Sequence, residues 1–389
     1  MFDAIVCGAG PAGAVAATVL ARGGARVLML DRARFPRPKL CGDTINPGAL
    51  ALLGRLGMTA AFERTALPLD GMIVTGERDV QVRCAYGPGL HALSIVREAL
   101  DAALVAAATD AGVRFEEGVL VRSALVDDTS PPRVRGVVMA GRDGRDVRVP
   151  APFVIAADGR RSSIAVSLGL TRQPARPRRW AIGGYFTGVE ALYPFGEMHV
   201  RRGRYIGIAP VPGGVANVCL VVPNPRNMDN PAALLEEAVA RDAALRERFA
   251  KASLVDRPAV LGPLAVDARD AGMDGLLLAG DAAGFIDPMT GDGLRFAVRG
   301  GELAAQAVLA AMAGRIARPH VALSAQRRRE FAAKWRFNRA LRRLVAAPFA
   351  VEAAGLLAAA APTVLRRTIR FAGDVQLSQE IARVGGQET

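Results

Sequence analysis

Residues 2–31 read FDAIVCGAGPAGAVAATVLARGGARVLMLD. FDAIVC is a short apolar run of strand character, and ARVLMLD at 25–31 is a second. Between them an Ala-rich segment reaching about Arg22 reads as a helix, so the stretch is a β-α-β unit. The turn into that helix is G-A-G-P-A-G. Gly8 permits a tight turn, Gly10 lets a pyrophosphate approach the backbone, and Gly13 lets helix and strand pack, with Ala17 extending the close contact. Pro11 and Ala12 start the helix, whose N-terminus adds partial positive charge toward a bound phosphate. Asp31 closes the second strand 23 residues after Gly8, where a carboxylate accepts both ribose hydroxyls of an adenosine; Arg32 follows as a further cofactor-binding candidate. The unit binds an adenine dinucleotide, and these residues alone do not separate FAD from NAD.

The rest of the chain bounds what such a unit can serve. It has 389 residues, about half of them hydrophobic, which excludes a disordered chain and leaves room for two or three domains. Cys7, Cys41, Cys84 and Cys219 lie far apart without a C-x-x-C pair, so neither a disulfide framework nor a structural zinc site is expected, and a reducing, cytoplasmic setting fits. The formal charge is +13, yet only Lys39, Lys251 and Lys334 are lysines. Eleven Arg or Lys against Glu330 and Glu352 give residues 327–370 a net +9, leaving the remainder close to balanced, so nucleic-acid binding is not expected. No stretch has the roughly 18 uninterrupted apolar residues of a transmembrane helix, and the N-terminus lacks a signal peptide's pattern. The expectation is a soluble protein, or one peripheral to the membrane.

Further along, a Pro- and Gly-rich loop, RFPRPKLCGDTINPG, is too long and aperiodic for a plain connector. Helix resumes near Ala49, short strands fill Leu67 to Tyr86, and Ser94 to Ala111 reads as a helix with Val96, Leu100, Leu104 and Ala107 on one face. Strand signals follow in VRFEEGVLVRSALVDD, RVRGVVMA and DVRVPAPFVIAAD. A basic, Pro-containing stretch, Thr171 to Arg179, leads into strands over 181–222, a helix over 231–251, and a buried strand and turn, DGLLLAGDAAG. Leu294 to Ala313 is helical, as is the chain from about Val321, with breaks at Pro348 and Pro362. This order implies a discontinuous cofactor domain (1–66, 92–170 and 262–313), a substrate domain (67–91 and 171–261) inserted in it, and a C-terminal helical region (314–389).

A second motif decides the cofactor. Gly280 and Asp281, in G-D-A-A-G, are followed by Asp287, Pro288, Gly291, Gly293 and Leu294 at the start of a helix. Small residues around an acid at a second helix N-terminus suit a hydroxylated chain and a ring: Asp281 for a ribityl hydroxyl, the backbone N–H groups of Gly291 to Leu294 for the flavin pyrimidine. Here the sequence resembles the superfamily of FAD-dependent hydroxylases and geranylgeranyl reductases, over Phe2 to about Ala313. The resemblance implies an α/β fold with a Rossmann-type FAD-binding domain, an inserted antiparallel β-sheet substrate domain and a C-terminal helical segment. It also carries over further residues. Ala157, Asp158, Gly159 and Ser162 look like the D-G motif of flavoprotein hydroxylases, linked to NAD(P)H use, although Ala165 stands where the family has a basic residue. Arg97 matches an arginine that reaches the FAD pyrophosphate. P-R-P-K-L-C-G-D resembles the P-R-x-K-x-C-G stretch of geranylgeranyl reductases and related halogenases, which runs beside the flavin. Arg37, Lys39, Cys41, Gly42 and Asp43 are therefore expected at the ring, with Cys41 and Asp43 the candidates for chemistry.

The substrate side departs from the family. Where prenyl-chain reductases carry Y-x-W-x-F-P, this chain has Tyr205-Ile206-Gly207-Ile208-Ala209-Pro210, so Gly207 and Ala209 replace both large aromatics and widen the pocket. The halogenase W-x-W-x-I-P motif is absent; the two tryptophans are Trp180 and Trp335. Tyr185, His199, Tyr205, Gly207, Ala209 and Pro210 are the substrate-binding candidates, and no residue set has metal-ligand spacing. The resemblance implies an FAD-dependent oxidoreductase, with NAD(P)H or a partner reductase as the source of electrons. The leading expectation is a monooxygenase that hydroxylates or epoxidises a hydrophobic aromatic or polyketide-like molecule through a flavin C4a-hydroperoxide. The alternatives are C=C reduction in a prenyl or lipid substrate, and a flavin electron-transfer or binding protein. The C-terminal run R-R-R-E-F-A-A-K-W-R-F-N-R-A-L-R-R-L sets apolar residues among arginines, which suits either contact with an anionic membrane or packing behind the substrate domain.

Overall fold

Ala4–Cys7 (β1) and Val27–Asp31 (β2) run parallel and are joined by the helix Pro11–Arg22 (α1), as the opening stretch requires. The structure is a computed structural model. It describes residues 1–389 apart from 78–79, 142–143, 177, 224–228, 348, 350–352, 354–359 and 386–389. After Pro47–Arg55 (α2) come two strands, Gly71–Thr75 (β3) and Gln81–Ala85 (β4), the helix Arg97–Asp110 (α3), and the strands Arg114–Glu117 (β5) and Phe153–Ala156 (β6). A short helix, Ser163–Ser167 (α4), precedes four long strands: Arg179–Thr187 (β7), Phe195–Arg201 (β8), Arg204–Val211 (β9) and Val215–Pro223 (β10). Then follow Pro231–Ala240 (α5), Leu276–Leu278 (β11), Gly293–Met312 (α6), Pro319–Ala346 (α7), Pro362–Ala372 (α8) and Val375–Gly385 (α9).

The cofactor sheet has the order Gly272–Met273, β11, β6, β1, β2, β5, and every pair is parallel except the first. Its inner strands β11, β6 and β1, and β2 up to Asp31, are apolar because both faces are covered, while the edge strand β5, RFEE, is largely exposed. Val6, Met29, Ile155 and Leu277 face α1 and α6, whose Ala16, Leu20, Ala304 and Val308 complete that core. Ile5, Leu28, Val154 and Leu276 face the other way, toward Val121, Val134 and Val137 of a three-stranded antiparallel sheet. α1 and α6 press together where a Cβ on Gly301 would lie 2.2 Å from the Ala12 carbonyl oxygen, so only glycine allows the crossing.

The second sheet runs Ser253–Leu254, β7, β10, β9, β8, β3, β4. It is antiparallel except that β8 pairs with β3 in parallel. One face packs Ile182, Ile206, Val218 and Leu220 on Leu235 and Val239 of α5. The opposite face, with Ala181, Met198, Tyr205 and Val221, looks toward the cofactor sheet's first helix and loops.

Two boundaries differ from expectation. The helix expected from Ser94 begins at Arg97, because Ala92–Ser94 is a strand paired with Thr44–Ile45 and Leu67–Leu69. The helix expected over 231–251 stops at Ala240; the Asp242 carboxylate turns inward to Arg201 Nε at 2.9 Å, and the chain continues in turns. Pro362 begins α8, where a proline's missing N–H costs nothing, while Pro348 lies outside the described residues.

Candidate functional site

Two motifs far apart in the chain meet at the N-terminus of α1. Gly8 has φ +100°, and a Cβ on Gly13 would sit 1.7 Å from the Gly8 carbonyl oxygen, so this turn closes only with glycine at both places. N-cap Gly10 brings no side chain to cap the helix, which leaves its first N–H groups free for a ligand. Asp31 accepts Ala9 N–H and Ala33 N–H at 2.8 Å each, one on each carboxylate oxygen, and so is aimed across the turn with lone pairs to spare. The guanidinium groups of Arg37 and Arg97 converge on Gly10, their Nη2 atoms 3.6 and 3.8 Å from where a Cβ would be. Buried Asp101 holds both arginines, Arg97 Nε at 2.6 Å and Arg37 Nη2 at 3.3 Å. Two guanidinium groups beside an uncapped helix N-terminus are the donor set a diphosphate needs.

The second motif folds onto the first. β11 runs into a 3-10 turn, Gly280–Ala283, and Gly280 has φ +58°; its Cβ would lie 2.8 Å from the Ala12 methyl. Asp281 in that turn lines the cavity beyond and accepts no side-chain hydrogen bond from a described residue. Asp287 caps the turn Pro288–Thr290 through Met289 N–H at 3.2 Å and also accepts from the Tyr205 hydroxyl at 2.6 Å. Gly291, at φ +67°, then leads into α6. The carboxylate of Asp292 makes no cap there. Lys334 Nζ at 3.1 Å and Asn338 Nδ2 at 3.3 Å, both on α7, draw it away, so the first N–H groups of α6 also stay open. Gly291, Gly293 and Leu294 line the same cavity as Asp281 and Pro288.

That cavity holds roughly 340 Å³ and is mostly apolar. Gly10, Pro11, Ala12, Lys39, Cys41, Gly42 and Arg97 form its cofactor end. Met198, Tyr205, Gly207, Ala209 and Cys219 form the sheet wall. A Cβ at Gly207 would meet the Met198 methyl at 3.7 Å, ordinary contact, so the missing aromatic leaves open room. Lys39 is half-buried near Arg97 and Arg37, and desolvation first, then Arg97, lowers its ammonium pKa. Burial raises the thiols of Cys41 and Cys219, so both stay protonated at neutral pH.

The loop that carries Cys41 is tied to the sheet through Asp43. This residue has φ +52°, is 2 % exposed, and accepts from Arg97 N–H at 3.0 Å, Tyr185 hydroxyl at 2.6 Å and Asn217 Nδ2 at 2.8 Å. Asn217 also donates to the Cys41 carbonyl at 3.0 Å, and Cys219 Sγ to the same oxygen at 3.3 Å. Burial, against the hydrogen bonds from Tyr185, Arg97 and Asn217, raises Asp43 from 3.8 to about 6. Between those pH values the folded chain keeps a proton that the unfolded chain has released. Asp43's contribution to stability is thus largest below about pH 4 and falls as pH rises to about 6, by up to about 3 kcal/mol. In urea unfolding at pH 4.5 and 7, Asp43→Asn should lose this part of the pH dependence; identical slopes in both proteins would contradict the assignment.

Other expected residues are placed as follows. Ala157, Gly159 and Arg160 line the cavity, while Asp158 accepts Ser163 N–H at 3.1 Å and leaves its other oxygen without a partner. Ala165 is fully buried in the core behind the cofactor sheet, which explains why no basic residue stands there. Arg32 is exposed and does not line the cavity. His199 and Pro210 lie on the α5 side of the sheet, where strand alternation puts them: His199 joins Thr75 Oγ1 at 2.8 Å to Glu197 at 3.0 Å. Tyr185 is on the cavity side but is occupied with Asp43. Asn217 and Cys219 were not singled out from sequence. Their signal is register, since Asn217 stands opposite Tyr185 and Ala209, and Cys219 opposite Gly207.

The basic C-terminal region also belongs to the site. Arg327 is buried over the rings of Phe331 and Trp335 and donates to the Ala283 carbonyl at 3.0 Å, directly behind the second motif. Phe337 and Leu341 of α7 and Leu365 and Ile369 of α8 close the cavity. Arg327, the first arginine of the positive run, therefore sits beside the second motif, while Arg336, Arg339, Arg343, Arg366 and Arg367 are exposed.

A family model for an FAD binding domain matches residues 1–338. The chain belongs to this FAD-binding family. It is accordingly an FAD-dependent oxidoreductase, and the glycine cradle, paired arginines and open helix N-termini fit the cofactor. Menaquinone reductase of Mycolicibacterium smegmatis is 29 % identical over 98 % of this chain and 94 % of its own length. Digeranylgeranylglycerophospholipid reductase 2 of Methanopyrus kandleri is 31 % identical over 79 % of this chain and 78 % of its own. Among solved structures, the myxobacterial chondrochloren halogenase superposes with TM-score 0.80 at 23 % identity, over 87 % of this chain and 81 % of that one, a likeness of fold. If Asp281 holds the ribityl chain of FAD, Asp281→Ala should release flavin, with about ten-fold weaker binding for a lost charged hydrogen bond; unchanged flavin absorbance after dialysis would refute its role.

Proposed function

We propose that this family member reduces a C=C double bond in a hydrophobic, isoprenoid-type molecule. One observation carries the reading: the apolar cavity that starts at the two FAD motifs has two protonated thiols, Cys41 and Cys219, in its wall. FAD, when bound, supplies hydride received from NAD(P)H or a partner reductase. Saturating an alkene needs that hydride on one carbon and a proton on the other. Lys39 and Arg97, with Arg37 beside Gly10, hold the cofactor end, and Met198, Leu261, Leu264, Phe285 and Leu341 exclude water around the substrate. Cys41 gives the proton and regains one from solvent; Asn217 and Asp43 keep its loop in place. The relatives named for reduction of menaquinone and of digeranylgeranylglycerophospholipid support this reading.

Oxygenation of a hydrophobic aromatic or polyketide-like molecule is the second reading. It is favoured by the open wall at Gly207 and Ala209, which accepts a wider ligand than a single chain. The two differ in their products. With reductant but no oxygen, in deuterated water, FAD-loaded protein should saturate a short prenyl alcohol and place at least one solvent deuteron on carbon. Cys41→Ala should slow that step about 100-fold, the usual contribution of a proton donor. Turnover that requires oxygen and adds it to the product would replace the first reading with the second.

A further inference from the structure

One part of the cavity lining comes from two helices, through Phe337 and Leu341 of α7 and Leu365, Thr368 and Ile369 of α8. The rings of Phe337 and Phe371, 5.2 Å apart, join them. Their outward sides are cationic. Arg336, Arg339, Arg343, Arg366 and Arg367 are all exposed, and of these only Arg339 approaches a carboxylate among the described residues, Asp267 at 3.9 Å. Large apolar side chains stand among them in water: Phe349 is 87 % exposed, Val364 53 % and Phe371 39 %. A single exposed apolar residue means little, but here three share the cavity-closing helices and their connection with five arginines. The sequence repeats the pattern, since residues 344–365 contain one charged side chain, Glu352, between the pairs Arg342-Arg343 and Arg366-Arg367. No described helix is long and apolar enough to cross a membrane.

We propose that this face docks on an anionic lipid bilayer, with the α7–α8 wall of the cavity turned toward the membrane. Lipid phosphates complement the arginines, and the acyl boundary receives Phe349, Val364 and Phe371. The apolar interior of the cavity then opens beside the apolar interior of the bilayer, which is the shortest route for a water-insoluble ligand. The docking rests on charge and exposed apolar surface, so it stands whichever reaction the flavin serves.

Flotation of the FAD-loaded full chain with vesicles tests it. Protein should float with vesicles containing about one-third phosphatidylglycerol, stay behind with phosphatidylcholine alone, and be released by high salt. The triple substitution Arg343→Ser, Arg366→Ser, Arg367→Ser should weaken partitioning roughly 100-fold, about five-fold for each arginine. Phe349→Ser should weaken it too, and both variants should keep wild-type flavin absorbance and melting temperature. Failure of the wild type to float with anionic vesicles, or flotation of the triple variant equal to wild type, would overturn the proposal.

Discussion

Gly13→Ala is expected to yield protein that purifies almost free of FAD. The added methyl would lie 1.7 Å from the Gly8 carbonyl oxygen and 3.3 Å from Val6 Cγ1, so α1 must move away from β1. Overpacking of this kind costs about 3 kcal/mol, and the displacement also breaks the alignment of Ala9 N–H with Asp31, 2.8 Å apart. Because the same shift opens the phosphate cradle, FAD affinity should fall by at least about 100-fold. Flavin absorbance of the purified variant and its titration with FAD measure this; wild-type occupancy would show that the turn does not hold the cofactor.

Arg97→Met should be nearly as damaging, for two separable reasons. Asp101 is fully buried, and losing its 2.6 Å partner leaves its carboxylate with Arg37, at 3.3 Å, as its one ion-pair partner among the described residues. Breaking a buried pair on one side costs about 3 to 5 kcal/mol. Adding Asp101→Asn removes the stranded charge, so the double variant should recover much of the melting temperature. It should not recover FAD binding, because the guanidinium near Gly10 is gone. Recovery of both would reduce Arg97 to a structural role; recovery of neither would mean that α3 itself fails to form.

What was legible in the sequence follows from how local each feature is. The turn at Gly8 to Gly13, the acid at Asp31 and the second motif at Asp281 are set by neighbours in the chain, and so is the alternation that puts Tyr205, Gly207 and Ala209 on one face. That same alternation excludes His199 and Pro210 from the cavity. Pairing partners are another matter. Asn217 and Cys219 reach the Cys41 carbonyl only because β10 crosses the 39–43 loop, a contact between residues more than 170 positions apart. The C-terminal helices were still harder to place. Their arginines read as surface charge, whereas Lys334 is buried between Asp292 and Asp374, at 3.1 and 3.2 Å, and ties α7 to the start of α6. With Arg295 Nε 3.2 Å from Asp374, two cations and two carboxylates are buried together and balance in charge, and no local pattern announces that a distant lysine will be the partner of Asp292.

In the proposed reaction, electrons pass from FAD to a carbon–carbon double bond without oxygen. Anaerobic rapid mixing follows that transfer: protein carrying reduced FAD is mixed in a single turnover with a short-chain isoprenoid alkene, and flavin absorbance is recorded. Flavin should be reoxidised by the alkene in step with its saturation, about 100-fold more slowly in Cys41→Ala. Flavin that stays reduced until oxygen is admitted, with oxygen then entering the product, would contradict this reaction.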